Sequence, residues 1–384
     1  MGDPHDTTGP AVPTLDDLEP QHIRELVAMA GQARRDGWPV ETVRQALALY
    51  AAAMADTPAP LTPAPAQLGG VLDDLQRRID HYRATGSPLM GWLTGLPMLD
   101  DRLGGLQAGR LSILIAQPGQ GKTTLAAQIA YHVATQGAPV LYLSYENSAA
   151  SLILRTIARI GGRSVRHVER GEFPLDALAP AVETFRRDGR SLYFLDGGRQ
   201  TTLDALEGYV AELTDRHPDS GPPLIVTDYL QRLAATDATE RDARMRVERT
   251  SQRLSELAKR TPAHVLAISS TNRAAYQTKD SRPSLSSARE SGSIEFDADH
   301  VLALAKPEGD GGDAPHGKDA LCLEIAKNRH GAMGTVNLYR DWLTLAITEP
   351  ELAAAGPGGA WAVGRGGRVS GPARSGGLAQ AARR

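Results

Sequence analysis

Residues 111–124 read Leu-Ser-Ile-Leu-Ile-Ala-Gln-Pro-Gly-Gln-Gly-Lys-Thr-Thr. The apolar run 111–116 is typical of a buried strand, and an amphipathic helical pattern follows at 123–136. Between them, Ala116 to Thr123 match the phosphate-binding P-loop pattern, with alanine in the place of its first glycine. An ordinary glycine-rich turn is the alternative, but such a turn does not require this order of strand, loop and helix. The stretch therefore predicts a nucleotide site.

Each part of this loop has a chemical role. Glycines let the backbone N–H groups turn inward around the phosphates, and the start of the helix adds partial positive charge. Lys122 can reach the β- and γ-phosphates, and the Thr123 hydroxyl can ligate Mg²⁺. The predicted nucleotide-binding residues are Gly119, Gln120, Gly121, Lys122, Thr123 and Thr124.

From about residue 90 onward, short apolar runs alternate with amphipathic helical patterns. The predicted strands are 111–116, 139–145, 191–195, 223–228, 264–269, 300–305 and 321–326. The predicted helices are 123–136, 148–160, 175–188, 202–215 and about 238–261. This alternation predicts an α/β fold with a mainly parallel central sheet covered on both faces. Two further runs, 334–340 and 343–348, predict a hairpin at one edge of the sheet.

The regions outside this core differ in composition. The predicted segments are a disordered start (1–19), a small helical hairpin (20–56), a proline-rich linker (57–66), a linker helix (67–89), the main domain (90–350) and a disordered basic tail (351–384).

Composition excludes several classes of protein. Lys and Arg total 42 and Asp and Glu total 45, a net charge of −3, so bulk charge does not indicate a non-specific binder of nucleic acid or membranes. The single cysteine, Cys322, excludes an intramolecular disulfide framework and a cysteine-based zinc site. No run approaches the length of a membrane span, and the first residues lack the pattern of a signal peptide. We therefore expect a cytoplasmic protein.

Two carboxylates end predicted strands near the loop. Asp228 ends the run Leu-Ile-Val-Thr-Asp, and beside the P-loop strand it would act as a Walker-B group that holds Mg²⁺ through water. Glu146 ends the strand that follows the P-loop helix. There it would either polarise the attacking water or cap helix 148–160, and the residues alone favour the cap.

Five separated blocks together resemble the C-terminal motor of DnaB-type replicative helicases, which has the RecA-like P-loop NTPase fold. The resemblance extends over about residues 90–342. The blocks are Thr-Gly-Leu-Pro through the P-loop, LYLSYENS at 141–148, LIVTDYLQ at 224–231, RESGSIEFDAD at 289–299 and IAKNRHGAMGTVNL at 325–338.

This resemblance implies an ATP hydrolase that uses Mg²⁺. Glu146 matches the family's catalytic glutamate, which reverses the assignment made from the residues alone. Arg329 matches the arginine finger that reaches the ATP of the adjacent subunit, and Lys327 lies beside it. The residues that match the loop tracking single-stranded DNA are Arg289, Glu290 and Gly292.

The sequence departs from the family in three places. Ser270 stands where the family has a glutamine thought to sense the γ-phosphate and couple it to the DNA loop, so the strength of that coupling is open. The small 20–56 segment stands where the family has a globular domain, which leaves a primase or helicase loader as an open partner. No aromatic residue lies within 282–294, which favours phosphate contact over base stacking.

The leading hypothesis is an ATP-driven helicase or translocase on single-stranded DNA, a homo-hexamer associated with the nucleoid, with plasmid or phage replication as one setting. One alternative is a RecA/RadA/KaiC-like ATPase without unwinding activity. The other is a non-motor scaffold that uses ATP only to assemble a ring.

Overall fold

The computed structural model describes residues 63–236, 242–270, 297–307 and 314–350, together with Arg35, Gly37 and Val43. Contacts divide the chain into two units, Met1–Asp74 and Leu75–Arg384, and every strand described below belongs to the second unit. Several predictions lie outside the described residues: segment 1–19, most of 20–56, the beginning of 57–66, the tail 351–384 and the DNA-loop residues Arg289, Glu290 and Gly292.

Within the described residues, one nine-stranded sheet forms the centre of the domain. Its strands are β1 (Arg110–Ala116), β2 (Val140–Ser144), β3 (Leu192–Asp196), β4 (Leu224–Asp228), β5 (His264–Ser270), β6 (His300–Ala305), β7 (Lys318–Asn328), β8 (Gly334–Asp341) and β9 (Ile347–Thr348).

The strand order is β3-β2-β4-β5-β1-β6-β7-β8-β9. Neighbouring strands from β3 to β6 are parallel, and those from β6 to β9 are antiparallel. This confirms the predicted α/β class with a mainly parallel sheet. Because β1 lies in the interior of the sheet, between β5 and β6, the P-loop emerges among several strand ends that can supply side chains.

The predicted hairpin at the sheet edge is confirmed, but its second arm is shorter than predicted. Strand β9 pairs with β8 only through Ile347 and Thr348. The residues before it form a turn held by the Asp341 carboxylate, which accepts hydrogen bonds from the backbone N–H groups of Leu343 (3.0 Å) and Thr344 (2.7 Å). A carboxylate that bonds nearby N–H groups favours a turn over an extended strand.

Among the described residues, two α-helices precede β1 and the others connect the strands from β1 to β5 along the chain. They are α1 (Leu68–Thr85), α2 (Pro97–Leu103), α3 (Lys122–Thr135), α4 (Ala149–Ile160), α5 (Val165–Glu169), α6 (Ala179–Asp188), α7 (Leu203–Arg216), α8 (Leu230–Ala234) and α9 (Ala243–Arg260).

The predicted helix 175–188 is two elements. A 3₁₀ turn, Leu175–Leu178, precedes α6, which has Pro180 in its first turn. Proline has no N–H to donate to the preceding turn, so a continuous helix through Pro180 would lose a hydrogen bond and gain a steric clash.

Alternation along the strands fills a hydrophobic core on each face of the sheet. Leu114, Val226 and Leu266 pack into the cluster that contains helix α3. Their neighbours in sequence, such as Ile113 and Ile225, pack into the cluster on the other face, with α7 and α9. Residues one apart on a strand point to opposite faces, so burial of both explains why these strands are almost wholly apolar.

Candidate nucleotide site

The loop between β1 and α3 has the backbone geometry that the P-loop pattern predicts. Gly119 and Gly121 have φ angles of +81° and +97°, in the left-handed region that favours glycine. Gly121 is the N-cap residue directly before helix α3, so the first N–H groups of the helix lie beside the loop. Backbone N–H groups at a helix start form an anion-binding site.

Lys122 and Thr123 are the first residues of α3, and both lie close enough to Asp228, at the end of β4, to change its pKa. The Lys122 side chain is buried, with the residue 7% exposed. Its ammonium group and the Thr123 hydroxyl both lower the pKa of Asp228. The sheet order therefore brings the predicted phosphate-binding lysine, the predicted metal-binding threonine and the Walker-B aspartate together.

Asp228 is fully buried at the end of β4. Its Oδ2 accepts a hydrogen bond of 3.0 Å from the Tyr142 hydroxyl on β2. Burial raises the pKa of Asp228, and Glu146 raises it further, against the opposing effects of Thr123, Tyr142 and Lys122. Its other oxygen, Oδ1, has no hydrogen-bond partner among the described residues.

A buried carboxylate oxygen without a partner is uncommon, because losing its hydration without compensation is unfavourable. Mg²⁺ prefers carboxylate, hydroxyl and water oxygens. Asp228 and Thr123 supply that donor set beside a loop suited to phosphates, so the residues present fit the predicted Mg²⁺.

Glu146 lies in the bend after β2 and is exposed. The bend is held to the end of β4, because the Tyr145 N–H donates to the Asp228 carbonyl at 2.7 Å. The role as a helix cap, which the residues alone favoured, is wrong: Ser148 is the N-cap of α4, and its hydroxyl accepts from the Ser151 N–H at 3.2 Å. The Glu146 carboxylate is therefore left beside the site, near enough to Asp228 to raise its pKa.

Ser270 ends β5, opposite Ala116 at the end of β1. Its backbone is held by Gln231 of α8, whose side-chain Nε2 donates to the Ser270 carbonyl at 3.0 Å. The Oε1 of Gln231 accepts from the Ser270 N–H at 3.3 Å, and Nε2 also donates to the Ser269 hydroxyl at 2.9 Å. Sequence reasoning missed Gln231, although it ends the block that contains Asp228.

Sequence reasoning also missed Arg340 of β8. Its Nη1 donates to the Gly119 carbonyl in the P-loop at 3.2 Å, and its Nη2 forms an ion pair with Asp319. The contact spans 221 residues, so no local pattern indicates it. Arg340 places a second cation beside the predicted phosphate loop.

Arg329 and Lys327 lie at the other edge of the sheet, where β1 and β6 begin and not where β1 ends at the P-loop. Arg329 Nη1 is 3.3 Å from Asp299 Oδ1, and the Leu111 N–H donates to Asp299 Oδ2 at 3.0 Å. Leu111 is near the start of β1, whereas the P-loop follows Ala116 at its other end. At about 3.3 Å per residue, these five residues separate Arg329 from its own P-loop by roughly 17 Å. The structure does not bring Arg329 and Lys327 into the site formed by Lys122, Asp228 and Glu146.

The model of the DnaB-like helicase C-terminal domain matches residues 91–344. The chain belongs to the DnaB-like helicase family. Its relatives include the replicative DNA helicase DnaB of Geobacillus stearothermophilus, 30% identical over 253 residues, and that of Haemophilus influenzae, 31% identical over 272 residues. A probable plasmid replicative DNA helicase of Chlamydia psittaci is 28% identical over 249 residues. The alignments cover 65%, 70% and 65% of this DnaB-like chain and 55%, 56% and 53% of those relatives, so the chain spans about half their length.

Solved structures show the same fold. A DnaB-like replicative helicase, studied with its interactions with primase, superposes with a TM-score of 0.69 at 21% identity, over 85% of this chain and 76% of that one. A second solved structure, an isolated ATPase domain, gives a TM-score of 0.65 at 22% identity, over 76% of this chain and 99% of that domain. The predicted RecA-like fold, shared with DnaB-like ATPase domains, is thereby confirmed. In the part of the chain that the structure describes, no helix is long and apolar enough to cross a membrane.

Proposed function

We propose that this DnaB-like protein is an ATP-driven helicase or translocase that moves along single-stranded DNA as a ring, with a homo-hexamer as the expected assembly. The observation that carries the proposal is the division of the predicted catalytic groups. One set lies at the P-loop and the other lies roughly 17 Å away at the opposite edge of the same sheet. A second copy that presents its Arg329 edge to the P-loop of the first would complete the site.

Each group at the P-loop has a role in hydrolysis. The loop and Lys122 hold the phosphates of ATP. Thr123 and Asp228 are the residues that would hold Mg²⁺, which neutralises charge on the phosphate oxygens when it is bound. Glu146 orients the attacking water and accepts its proton, a role for which an exposed carboxylate beside the loop is suited.

Arg329 of a neighbouring subunit supplies the remaining charge. As the γ-phosphoryl group leaves, negative charge spreads over its oxygens, and a guanidinium group that approaches them lowers the barrier. Lys327 adds a second cation on the same strand. Hydrolysis then depends on how adjacent subunits are arranged, which is the property that a ring motor requires.

The DNA contact is proposed for Arg289, Glu290 and Gly292, by resemblance to the family and because the named relatives are DNA helicases. These residues follow Ser270 in the sequence. The backbone of Ser270 is held by Gln231, three residues after the Walker-B aspartate. A shift at the nucleotide site would therefore reach the start of the DNA loop through α8.

Ring assembly is proposed to use helix α1. Three of its apolar side chains, Leu75, Ile79 and Tyr82, are 50%, 37% and 56% exposed, and an apolar helix face of this kind is typical of a docking element. A primase or a helicase loader is a further proposed partner, and work on DNA implies a place at the nucleoid in the cytoplasm.

Ser270 favours a second candidate, a scaffold that binds ATP to assemble a ring without moving on DNA. Its side chain is shorter than the glutamine that the resemblance leads us to expect. A scaffold of this kind would hydrolyse ATP at a rate indifferent to DNA.

The deciding experiment measures ATP hydrolysis by the full chain with and without single-stranded DNA, alongside Glu146→Gln. We expect several-fold stimulation by DNA and a loss of hydrolysis in Glu146→Gln with nucleotide binding retained. Hydrolysis that ignores DNA would support the scaffold. Activity that survives Glu146→Gln would show that another group activates the water.

A further inference from the structure

Asp299 connects the strand that carries the P-loop to the end of β7. Its backbone N–H donates to the Leu111 carbonyl at 2.8 Å, and its Oδ2 accepts from the Leu111 N–H at 3.0 Å. Both polar groups of the Leu111 backbone are therefore bonded to this one residue. Asp299 is fixed at the start of β1, just before β6 begins.

The rest of Asp299 holds Arg329. The Arg329 N–H donates to the Asp299 carbonyl at 2.9 Å, and Arg329 Nη1 lies 3.3 Å from Asp299 Oδ1. His330 Nε2 lies 3.6 Å from the same oxygen. Each polar group of Asp299 thus bonds to either Leu111 or the Arg329–His330 pair.

The two partners of this ion pair differ in burial. The Asp299 side chain is 7% exposed, whereas the Arg329 side chain is 45% exposed. The carboxylate therefore binds the guanidinium from the inside and leaves part of it facing outward. Because the carboxylate is buried and makes further hydrogen bonds, less water competes for its charge than in a fully exposed pair, and the Arg329 side chain is restricted more.

We propose that Asp299 is a positioning residue that presents Arg329 to the nucleotide site of the adjacent subunit. The inference rests on the proposed function, in which Arg329 acts across an interface. It adds that Arg329 is connected through Asp299 to the start of β1, the strand that ends in the P-loop of its own subunit. A displacement of β1 at one site would then move the finger that serves the next site.

The test uses Asp299→Asn, which keeps the side-chain size and an oxygen for Leu111 but removes the charge. We expect ATP hydrolysis in the presence of single-stranded DNA to fall about tenfold in kcat with little change in KM, since one charge-assisted hydrogen bond is lost. Asp188→Asn, which removes an aspartate paired with Arg187 on α6, is the control and keeps wild-type activity.

Mixed rings separate positioning from simple damage to the fold. Lys122→Ala subunits cannot use their own site but carry an intact finger, whereas Asp299→Asn subunits carry an intact P-loop. Co-assembly of the two is expected to give more activity than the sum of the separate variants. The mixture of Arg329→Ala and Lys122→Ala should behave likewise.

If the Arg329→Ala mixture gains activity and the Asp299→Asn mixture does not, the positioning role is overturned and the shared site stands. If neither mixture gains activity, the shared site itself is wrong. Asp299→Glu keeps the charge and should retain more activity than Asp299→Asn. Equal activities of the two variants would mean that shape, not charge, is what the position requires, and would also overturn the proposal.

Discussion

The two edges of the parallel sheet each contain a buried aspartate, and the two aspartates are bonded very differently. At the P-loop edge, Asp228 has one oxygen bonded to Tyr142 and one without a partner among the described residues. At the other edge, Asp299 uses both oxygens, its N–H and its carbonyl. Unsatisfied buried oxygens favour a ligand, while fully bonded ones hold a neighbouring side chain in place. The comparison therefore distinguishes the edge proposed to receive a nucleotide from the edge proposed to present an arginine.

The largest expected effect follows from removing the cation of each edge. Lys122→Ala should abolish both ATP binding and hydrolysis, because Lys122 belongs to the loop proposed to hold the phosphates. Arg329→Ala should lower kcat by about 10³-fold, the lower end of what arginine fingers contribute, and leave nucleotide affinity nearly unchanged. Titration with a fluorescent nucleotide analogue and steady-state hydrolysis measure the two quantities separately.

Loss of nucleotide affinity in Arg329→Ala would contradict this division of roles. Such a loss would mean that Arg329 contacts the nucleotide bound to its own chain, which contradicts the roughly 17 Å between Arg329 and its own P-loop. Arg340→Ala is the informative comparison, since Arg340 does contact the P-loop in its own chain. It should weaken nucleotide binding.

A smaller effect is expected at Gln231, which acts within the P-loop edge. Gln231→Leu removes the hydrogen bonds to Ser269 and to the Ser270 backbone. Stimulation of hydrolysis by single-stranded DNA should fall several-fold while the rate without DNA is kept, because the P-loop and Asp228 are untouched. Gln252→Leu, on the exposed face of α9, is the matched control. Equal loss of both rates would mean that Gln231 supports the site itself and not its coupling to DNA.

Local sequence patterns predicted most of the fold and the P-loop half of the site. The strand, the glycines and Lys122 are contiguous, so their chemistry could be predicted without knowing any contact. Asp228 followed because the ends of neighbouring parallel strands meet at one edge, whereas the catalytic role expected of Glu146 came only from the family resemblance. The helices Pro97–Leu103, Val165–Glu169 and Leu230–Ala234 were missed, because one or two turns are too short to show a 3.6-residue repeat.

The missed site residues share a different cause. Gln231, Arg340 and Asp299 make contacts across 39, 221 and 188 residues. Each is a polar residue whose partner is a backbone group or a charge brought near only by the strand order. Sequence spacing says nothing about such pairs. The assignment of Arg329 as a finger came from the family resemblance, and only the strand directions showed that it lies away from its own P-loop.

The smallest expected effect is on the pH dependence of stability, which has opposite signs at the two edges. At the Arg329 edge, the Ser112 hydroxyl lies 3.0 Å from His264 Nε2 and 2.9 Å from His300 Nδ1. Burial lowers the pKa of His264 to about 4 and that of His300 to about 3, from an ordinary value of 6.5. Below pH 6.5 the unfolded chain binds protons that the folded chain does not, so these histidines make stability fall as the pH falls toward 4.

Asp228 has the opposite effect at the P-loop edge. Burial raises its pKa from 3.8, so above pH 3.8 the folded chain keeps a proton that the unfolded chain releases. Stability therefore falls as the pH rises from 3.8 through the raised pKa of the folded chain. Thermal unfolding without nucleotide between pH 4.5 and 7 should therefore show a shallower acid loss for His300→Gln than for the wild type, by roughly a few degrees. Asp228→Asn should show a steeper acid loss, because it removes the opposing proton. Parallel curves for all three proteins would mean that neither edge differs in proton binding between the folded and unfolded chain.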